Sequence, residues 1–116
     1  MKRVLVIEDD PDMAELLGHM IQMNGHEPAV FIAADEALAD ARANPPDAIL
    51  IDIMMEQMDG WTMCEWLRQI TDAPVAFISA WRTGENAERA KTMGARFITK
   101  PLSHYDLGRE LNLMLG

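Results

Sequence analysis

The sequence has little cysteine, no long apolar run and a shortage of positive charge. Its single cysteine, Cys64, cannot form an internal disulfide, which is consistent with a reducing compartment. No apolar stretch approaches the roughly 18 residues that span a bilayer, and the run at 4–7 is too short for a signal-peptide core. The net charge of −9 disfavours direct binding to DNA or RNA. We therefore expect a cytoplasmic protein with no nucleic acid or membrane partner.

The length and composition are those of one ordinary globular domain. The chain has 116 residues, which is too few for two domains and enough for a buried core. Hydrophobic residues make up 49% and charged residues 25%, so the composition argues against disorder. We expect residues 1–116 to form a single domain, with no output domain in this chain.

Short apolar runs alternate with segments of helical periodicity. The runs are rich in β-branched residues and continuous, which is typical of parallel strands buried on both faces. Strands are predicted at 4–7, 28–32, 48–51, 74–78 and 96–99, and helices at 11–24, 34–43, 61–70, 85–93 and from about 104 onward. Five strands alternating with five helices indicate an α/β fold with a parallel sheet and helices on both faces.

Local signals mark the ends of several of these elements. Asp10–Pro11 is typical of a helix N-cap and first turn, and Gly25 of the residue after a helix. Asp59–Gly60 is a favourable turn pair that closes the loop after the third strand. Ser103 and Asp106 have the spacing of a capping box at the start of the last helix.

The residues at the carboxyl ends of the predicted strands form a chemically specific set. Right-handed crossovers place these ends on one edge of the sheet, where ligands bind. The residues there are Glu8, Asp9, Asp52, Ser79 and Lys100. Converging carboxylates suit a hard divalent cation such as Mg²⁺, and a carboxylate can accept a phosphoryl group as a nucleophile. Taken singly, each residue has a structural interpretation as a cap, turn or surface charge, but their convergence favours phosphoryl chemistry.

At this point the sequence resembles the receiver domain of bacterial response regulators, the CheY-like family of two-component signalling. The resemblance lies in four motifs in order along essentially the whole chain. They are residues 4–11, residues 49–52 with 58–60, residues 77–80, and the pair Lys100–Pro101. The resemblance implies a flavodoxin-like (βα)5 three-layer sandwich with strand order 2-1-3-4-5.

The resemblance also implies roles for the acidic residues. Asp52 would be the phosphoacceptor, supplied by a histidine kinase or a histidine phosphotransfer protein. Glu8 and Asp9 would hold Mg²⁺ or Mn²⁺ together with Asp52 and the backbone carbonyl of Met54. The domain would be a regulatory switch and no enzyme, apart from taking phosphate from small donors and losing it slowly.

A second group of residues would transmit the signal, again by resemblance. Ser79 would bond a phosphoryl oxygen, Lys100 would pair with the phosphate, and Phe97 would rotate inward as the switch aromatic. The Lys100–Pro101 bond would be cis. The face made by the fourth helix, fifth strand and fifth helix would then bind a downstream protein or output domain, or form a homodimer.

Three positions depart from the family's usual pattern. Glu56 stands where proline is common, four residues after the acceptor. Met54 and Trp81 occupy the two positions that influence hydrolysis of the phosphate in this family. A thioether orients water poorly and an indole can shield a site, so we expect slow self-dephosphorylation, over minutes or longer.

Two other functions are compatible with parts of this pattern. A phosphatase of the haloacid-dehalogenase type also uses an aspartate nucleophile after a strand, but it has a second aspartate where this chain has Met54. A phosphorylation-independent interaction module of the receiver type would need none of this chemistry. Labelling by acetyl phosphate discriminates between the module and the switch.

Overall fold

In a computed structural model, residues 2–56, 58–81 and 83–116 are described. The five strands are Arg3–Ile7 (β1), Glu27–Phe31 (β2), Ala48–Asp52 (β3), Val75–Ser79 (β4) and Arg96–Thr99 (β5). The five helices are Pro11–Met23 (α1), Ala34–Ala43 (α2), Gly60–Arg68 (α3), Gly84–Thr92 (α4) and His104–Leu115 (α5). The predicted alternation of strands and helices is therefore confirmed.

The strands form one parallel sheet in the order β2-β1-β3-β4-β5. The central strands β1, β3 and β4 are almost wholly buried, which explains why their sequences are continuously apolar. Side chains alternate between the two faces of each strand. Leu5 and Ile7 point to one face, and Val4 and Val6 to the other. The fold is the flavodoxin-like three-layer sandwich that the resemblance implied.

Two cores sandwich the sheet. Helices α2, α3 and α4 cover one face, where the largest fully buried side chain is Phe77 of β4. Helices α1 and α5 cover the other face through Leu17, Ile21, Leu107 and Leu111. This arrangement leaves the carboxyl edge of the sheet uncovered by helices, because the loops that precede the helices lie there.

The predicted bounds lie within two residues of the observed ones, and the local signals at the element ends are confirmed except at Asp59–Gly60. Asp10 caps α1 by accepting a hydrogen bond from the Asp12 N–H, Gly25 has φ of 80°, and the Ser103 capping box is present. The second strand, however, covers 27–31, and Ile32 is exposed beyond it. Asp59–Gly60 does not form a turn. Asp59 is the N-cap of α3, accepting from the Thr62 N–H, and Gly60 is already helical. The Lys100–Pro101 bond is cis, as expected.

Among the described residues, no helix has both the length and the apolar character needed to cross a membrane.

Candidate phosphoryl-transfer site

Five predicted site residues meet at the carboxyl edge of the sheet. Glu8 follows β1, Asp52 ends β3, Ser79 ends β4 and Lys100 follows β5, while Asp9 opens the loop into α1. Glu8, Asp52 and Ser79 are the only polar residues in the buried set of the described chain. Burying polar groups is costly, so their presence together indicates a functional site more strongly than a structural one.

Lys100 contacts both buried carboxylates. Its Nζ donates to Glu8 Oε1 at 2.7 Å and lies 3.7 Å from Asp52 Oδ2. Ninety-two residues separate Lys100 from Glu8 along the chain, so the pairing depends on the sheet order. One ammonium faces two carboxylates, and with Asp9 nearby the local charge remains negative.

The pKa of Glu8 is raised to about 7, chiefly because burial disfavours the charged carboxylate. The neighbouring Asp52 carboxylate also raises this pKa, by more than Lys100 lowers it. The second oxygen of the Glu8 carboxylate, Oε2, is buried and has no hydrogen-bond partner among the described residues. An unpaired buried carboxylate oxygen is unfavourable unless another group satisfies it. A cation is the kind of group that would do so.

Three carboxylates fit a divalent cation. One oxygen from each of Glu8, Asp9 and Asp52 lies within 4.8 Å of the other two. All are hard oxygen donors, the type that Mg²⁺ and Mn²⁺ prefer. Asp9 is held by the backbone N–H of Glu56, which donates to Asp9 Oδ2 at 2.9 Å. No sequence pattern indicates this last contact, because it joins two loops through main-chain geometry.

The loop after β3 positions the Asp52 side chain. The Met54 N–H donates to Asp52 Oδ1 at 3.1 Å, which places the Met54 backbone beside the carboxylate. The start of α3 packs directly beneath. A Cβ on Gly60 would come within 2.7 Å of the Asp52 backbone oxygen and 2.9 Å of Ile53 Cα. The lack of a side chain at Gly60 therefore lets α3 pack against the strand end that carries Asp52. The turn prediction missed this role, although a glycine directly after a potential N-cap residue could have indicated it.

The predicted switch residues Ser79 and Phe97 lie on the β4–β5 side of the site. Ser79 is buried, and its Oγ accepts a hydrogen bond from the Trp81 N–H at 3.0 Å. Phe97 of β5 is half-buried, packs against the core on the α2–α4 face and borders a shallow cleft of about 350 Å³ beside α5. Met54 and Trp81 are both mostly exposed, with 59% and 61% of their surfaces accessible.

A larger cleft of about 650 Å³ adjoins the carboxylates on the β2 side. Acidic and apolar side chains share its lining, with Asp9, Asp10 and Glu56 beside Met54 and Met55. Such a lining tolerates cationic and apolar groups better than a free anion.

Comparisons with known proteins agree with this geometry. The family model described as response regulator receiver domain matches residues 4–112. The uncharacterized transcriptional regulatory protein YvcP of Bacillus subtilis is 36% identical over 103 residues, which cover 87% of this chain and 43% of YvcP. The DNA-binding response regulator MtrA of Mycolicibacterium smegmatis is 34% identical over 68% of this chain and 35% of its own length. The chain thus spans less than half of the length of these two relatives.

Solved structures give the same assignment. The Francisella response regulator 1452 receiver domain is 32% identical with a TM-score of 0.89, over 99% of this chain and 97% of that one. The Vibrio cholerae chemotaxis protein CheY4 is 26% identical with a TM-score of 0.91, over 99% of both chains. The family match, the strand order and the carboxylates at the sheet edge all agree. The chain therefore belongs to the receiver domains of two-component response regulators, a family of regulatory domains.

Proposed function

We propose that this domain is a phosphoacceptor switch in which Asp52 takes a phosphoryl group from a histidine kinase or a histidine phosphotransfer protein. The observation that carries the proposal is the convergence of Glu8, Asp9 and Asp52 with Lys100 at one edge of the sheet. Residues 1–116 would act as a single receiver domain. We expect the exchange to take place in the cytoplasm, in keeping with the acidic, cysteine-poor sequence.

Mg²⁺ or Mn²⁺ is the cofactor that the donor set favours. Glu8, Asp9 and Asp52 would hold it, with the Met54 carbonyl as a further oxygen ligand. When bound, the cation would neutralise the carboxylates and the incoming phosphate. Glu8 must release its proton to serve as a ligand, and its raised pKa makes that step dependent on pH near neutrality.

Asp52 would act as the nucleophile. An oxygen of its carboxylate forms a bond to phosphorus while the bond from phosphorus to the donor's imidazole nitrogen breaks, and the imidazole keeps the electron pair. The Met54 N–H holds the other oxygen, Oδ1, at 3.1 Å and so orients the carboxylate. Lys100, at 3.7 Å from Oδ2, is placed to offset the charge that the phosphoryl group brings.

The response would pass through Ser79 and Phe97. Ser79 would turn from Trp81 to a phosphoryl oxygen, and Phe97 would move inward from the edge of its cleft. Because Phe97 borders that cleft together with Leu102 and Leu113, its movement would reshape the α4-β5-α5 face. We propose that this face binds a downstream protein or output domain, or a second receiver.

The direct test is mass spectrometry after treatment with acetyl phosphate and Mg²⁺. We expect a single phosphoryl adduct on the wild type, none on Asp52→Ala, and an unchanged adduct on Asp72→Ala, an exposed aspartate outside the site. A folded wild type that takes no label would instead indicate a phosphorylation-independent interaction module. Labelling of Asp52→Ala to the wild-type level would exclude Asp52 as the acceptor.

The phosphoryl group should persist for minutes or longer. Neither the Met54 thioether nor the Trp81 indole can orient a water for attack as a carboxylate or amide can. Following loss of the adduct after removal of the donor, with Mg²⁺ present, measures the lifetime. We expect Met54→Asn to shorten it, and a wild-type lifetime of a few seconds would contradict this reasoning.

A phosphatase of the haloacid-dehalogenase type is not favoured. The chain belongs to a family of regulatory domains, and its residue two positions after the nucleophile is Met54, which cannot serve as a general acid or base.

A further inference from the structure

The backbone of Trp81, in the loop between β4 and α4, is held from two sides. On the sheet side, Ser79 Oγ accepts from the Trp81 N–H at 3.0 Å and can donate to the Trp81 carbonyl at 3.4 Å. On the helix side, the Asn86 carboxamide donates to the same carbonyl at 3.3 Å. The Trp81 backbone therefore links the end of β4 to the first turn of α4.

The position of Asn86 is fixed by the helix cap and does not depend on its side chain. Thr83 is the N-cap of α4, and its Oγ1 accepts from the Asn86 backbone N–H at 3.0 Å. The cap orients the residue, and the carboxamide then reaches the loop. Substituting the Asn86 side chain would leave this backbone cap in place, so the contact with Trp81 can be removed separately.

The contact should exist in only one of the two states of the switch. In the unphosphorylated arrangement, Ser79 uses its proton toward the Trp81 carbonyl and a lone pair toward the Trp81 N–H. To donate to a phosphoryl oxygen on Asp52, the hydroxyl must turn away from that carbonyl. For the Trp81 N–H to keep Ser79 Oγ as its acceptor, the loop must move together with Ser79. This movement would lengthen the distance between the Trp81 carbonyl and the Asn86 carboxamide.

We propose that Asn86 is a positioning residue that holds the β4–α4 loop in its unphosphorylated arrangement and so sets the balance between the two states. The inference rests on the proposed function of Asp52 and Ser79. A ligand for the active state binds more tightly when the competing state loses a stabilising contact. For one partly exposed hydrogen bond, the expected shift is about twofold to tenfold.

The test uses beryllium fluoride with Mg²⁺ as a phosphoryl mimic on two variants and a control. Asn86→Ala and Asn86→Asp both remove the donor, but only aspartate adds a negative charge, which is favourable near a helix N-terminus. Glu88→Ala changes an exposed position of the same helix. We expect both Asn86 variants to bind beryllium fluoride about twofold to tenfold more tightly, with Glu88→Ala unchanged. Without ligand, hydrogen exchange at the Trp81 N–H should be faster in both Asn86 variants.

Each outcome bears on a distinct claim. If the wild type binds beryllium fluoride and the Asn86 variants bind it equally or more weakly, the role of Asn86 is overturned. Tighter binding by only one variant also overturns it, because the effect would then follow helix stability and not the lost donor. A wild type that binds no beryllium fluoride overturns the proposed function itself, and the role of Asn86 with it.

Discussion

Replacing Gly60 with alanine should test how closely α3 packs on the end of β3. The new Cβ would lie 2.7 Å from the Asp52 backbone oxygen and 2.9 Å from Ile53 Cα, whereas ordinary contact begins at 3.4 Å. Both obstacles are backbone atoms. Ile53 is fixed on either side, since its N–H bonds the Ile78 carbonyl and its carbonyl accepts from Gly60 itself. The helix or the strand end must therefore shift by about 0.5 Å or more.

Gly84 provides a matched control for this substitution. Gly60 and Gly84 are each the first residue of a helix, after the N-caps Asp59 and Thr83. A Cβ on Gly84 would meet nothing within 4 Å. Alanine at either position gains about 0.4–1 kcal/mol by restricting the unfolded chain. The overpacking at Gly60 costs about 1–3 kcal/mol in addition, so the difference between the two variants measures the clash alone.

The assay is thermal and urea unfolding of the two variants side by side. With an unfolding entropy of about 2.1 cal/mol/K per residue, a change of 1 kcal/mol shifts the melting temperature of this chain by about 4 °C. We expect Gly84→Ala to melt slightly above the wild type, and Gly60→Ala about 4–12 °C below Gly84→Ala. Because Asp52 moves with the strand end, Gly60→Ala should also bind Mg²⁺ more weakly. Two variants that melt together would refute the close approach of α3 to β3.

Two further predictions concern stability. Because the pKa of Glu8 rises from 4.5 to about 7 on folding, the folded state keeps a proton that the unfolded state has released between these pH values. The retained proton adds to the free energy of unfolding. This contribution is at most about 3 kcal/mol, is fully present below about pH 4.5, and is lost as the pH rises to about 7. Urea unfolding with EDTA should show this loss in the wild type relative to Glu8→Gln; parallel curves would argue against the raised pKa. A Cβ at Gly108 would collide with the Asn24 carboxamide, which donates to the Met20 and His104 carbonyls at 2.9 Å each. Gly108→Ala should cost about 1 kcal/mol in the wild type but stabilise an Asn24→Ala background, a sign change that a double-mutant cycle detects.

The sequence by itself determined the element types and the chemistry at the strand ends. Continuous apolar runs such as Ile49–Ile51 predict buried parallel strands, because both faces of each strand must be covered. Asp52 stands directly at the end of such a run, and parallel strands bring their carboxyl ends together. The acidic residues after β1 and the basic residue after β5 can therefore be assigned to one edge from the sequence alone.

Only the tertiary structure decided which atoms meet there. The distance between Lys100 and Glu8, the buried Oε2 of Glu8 and its raised pKa all depend on how β1, β3 and β5 are spaced across the sheet. Local propensity was misleading at Gly60, where Asp-Gly is typical of a turn, because the requirement at that glycine comes from β3 and not from its own loop. The link from Asn86 to Trp81 likewise depends on the orientation of α4 against the loop, which no periodicity encodes. Sequence patterns set what each element is, whereas contacts between distant elements follow from packing of the whole chain.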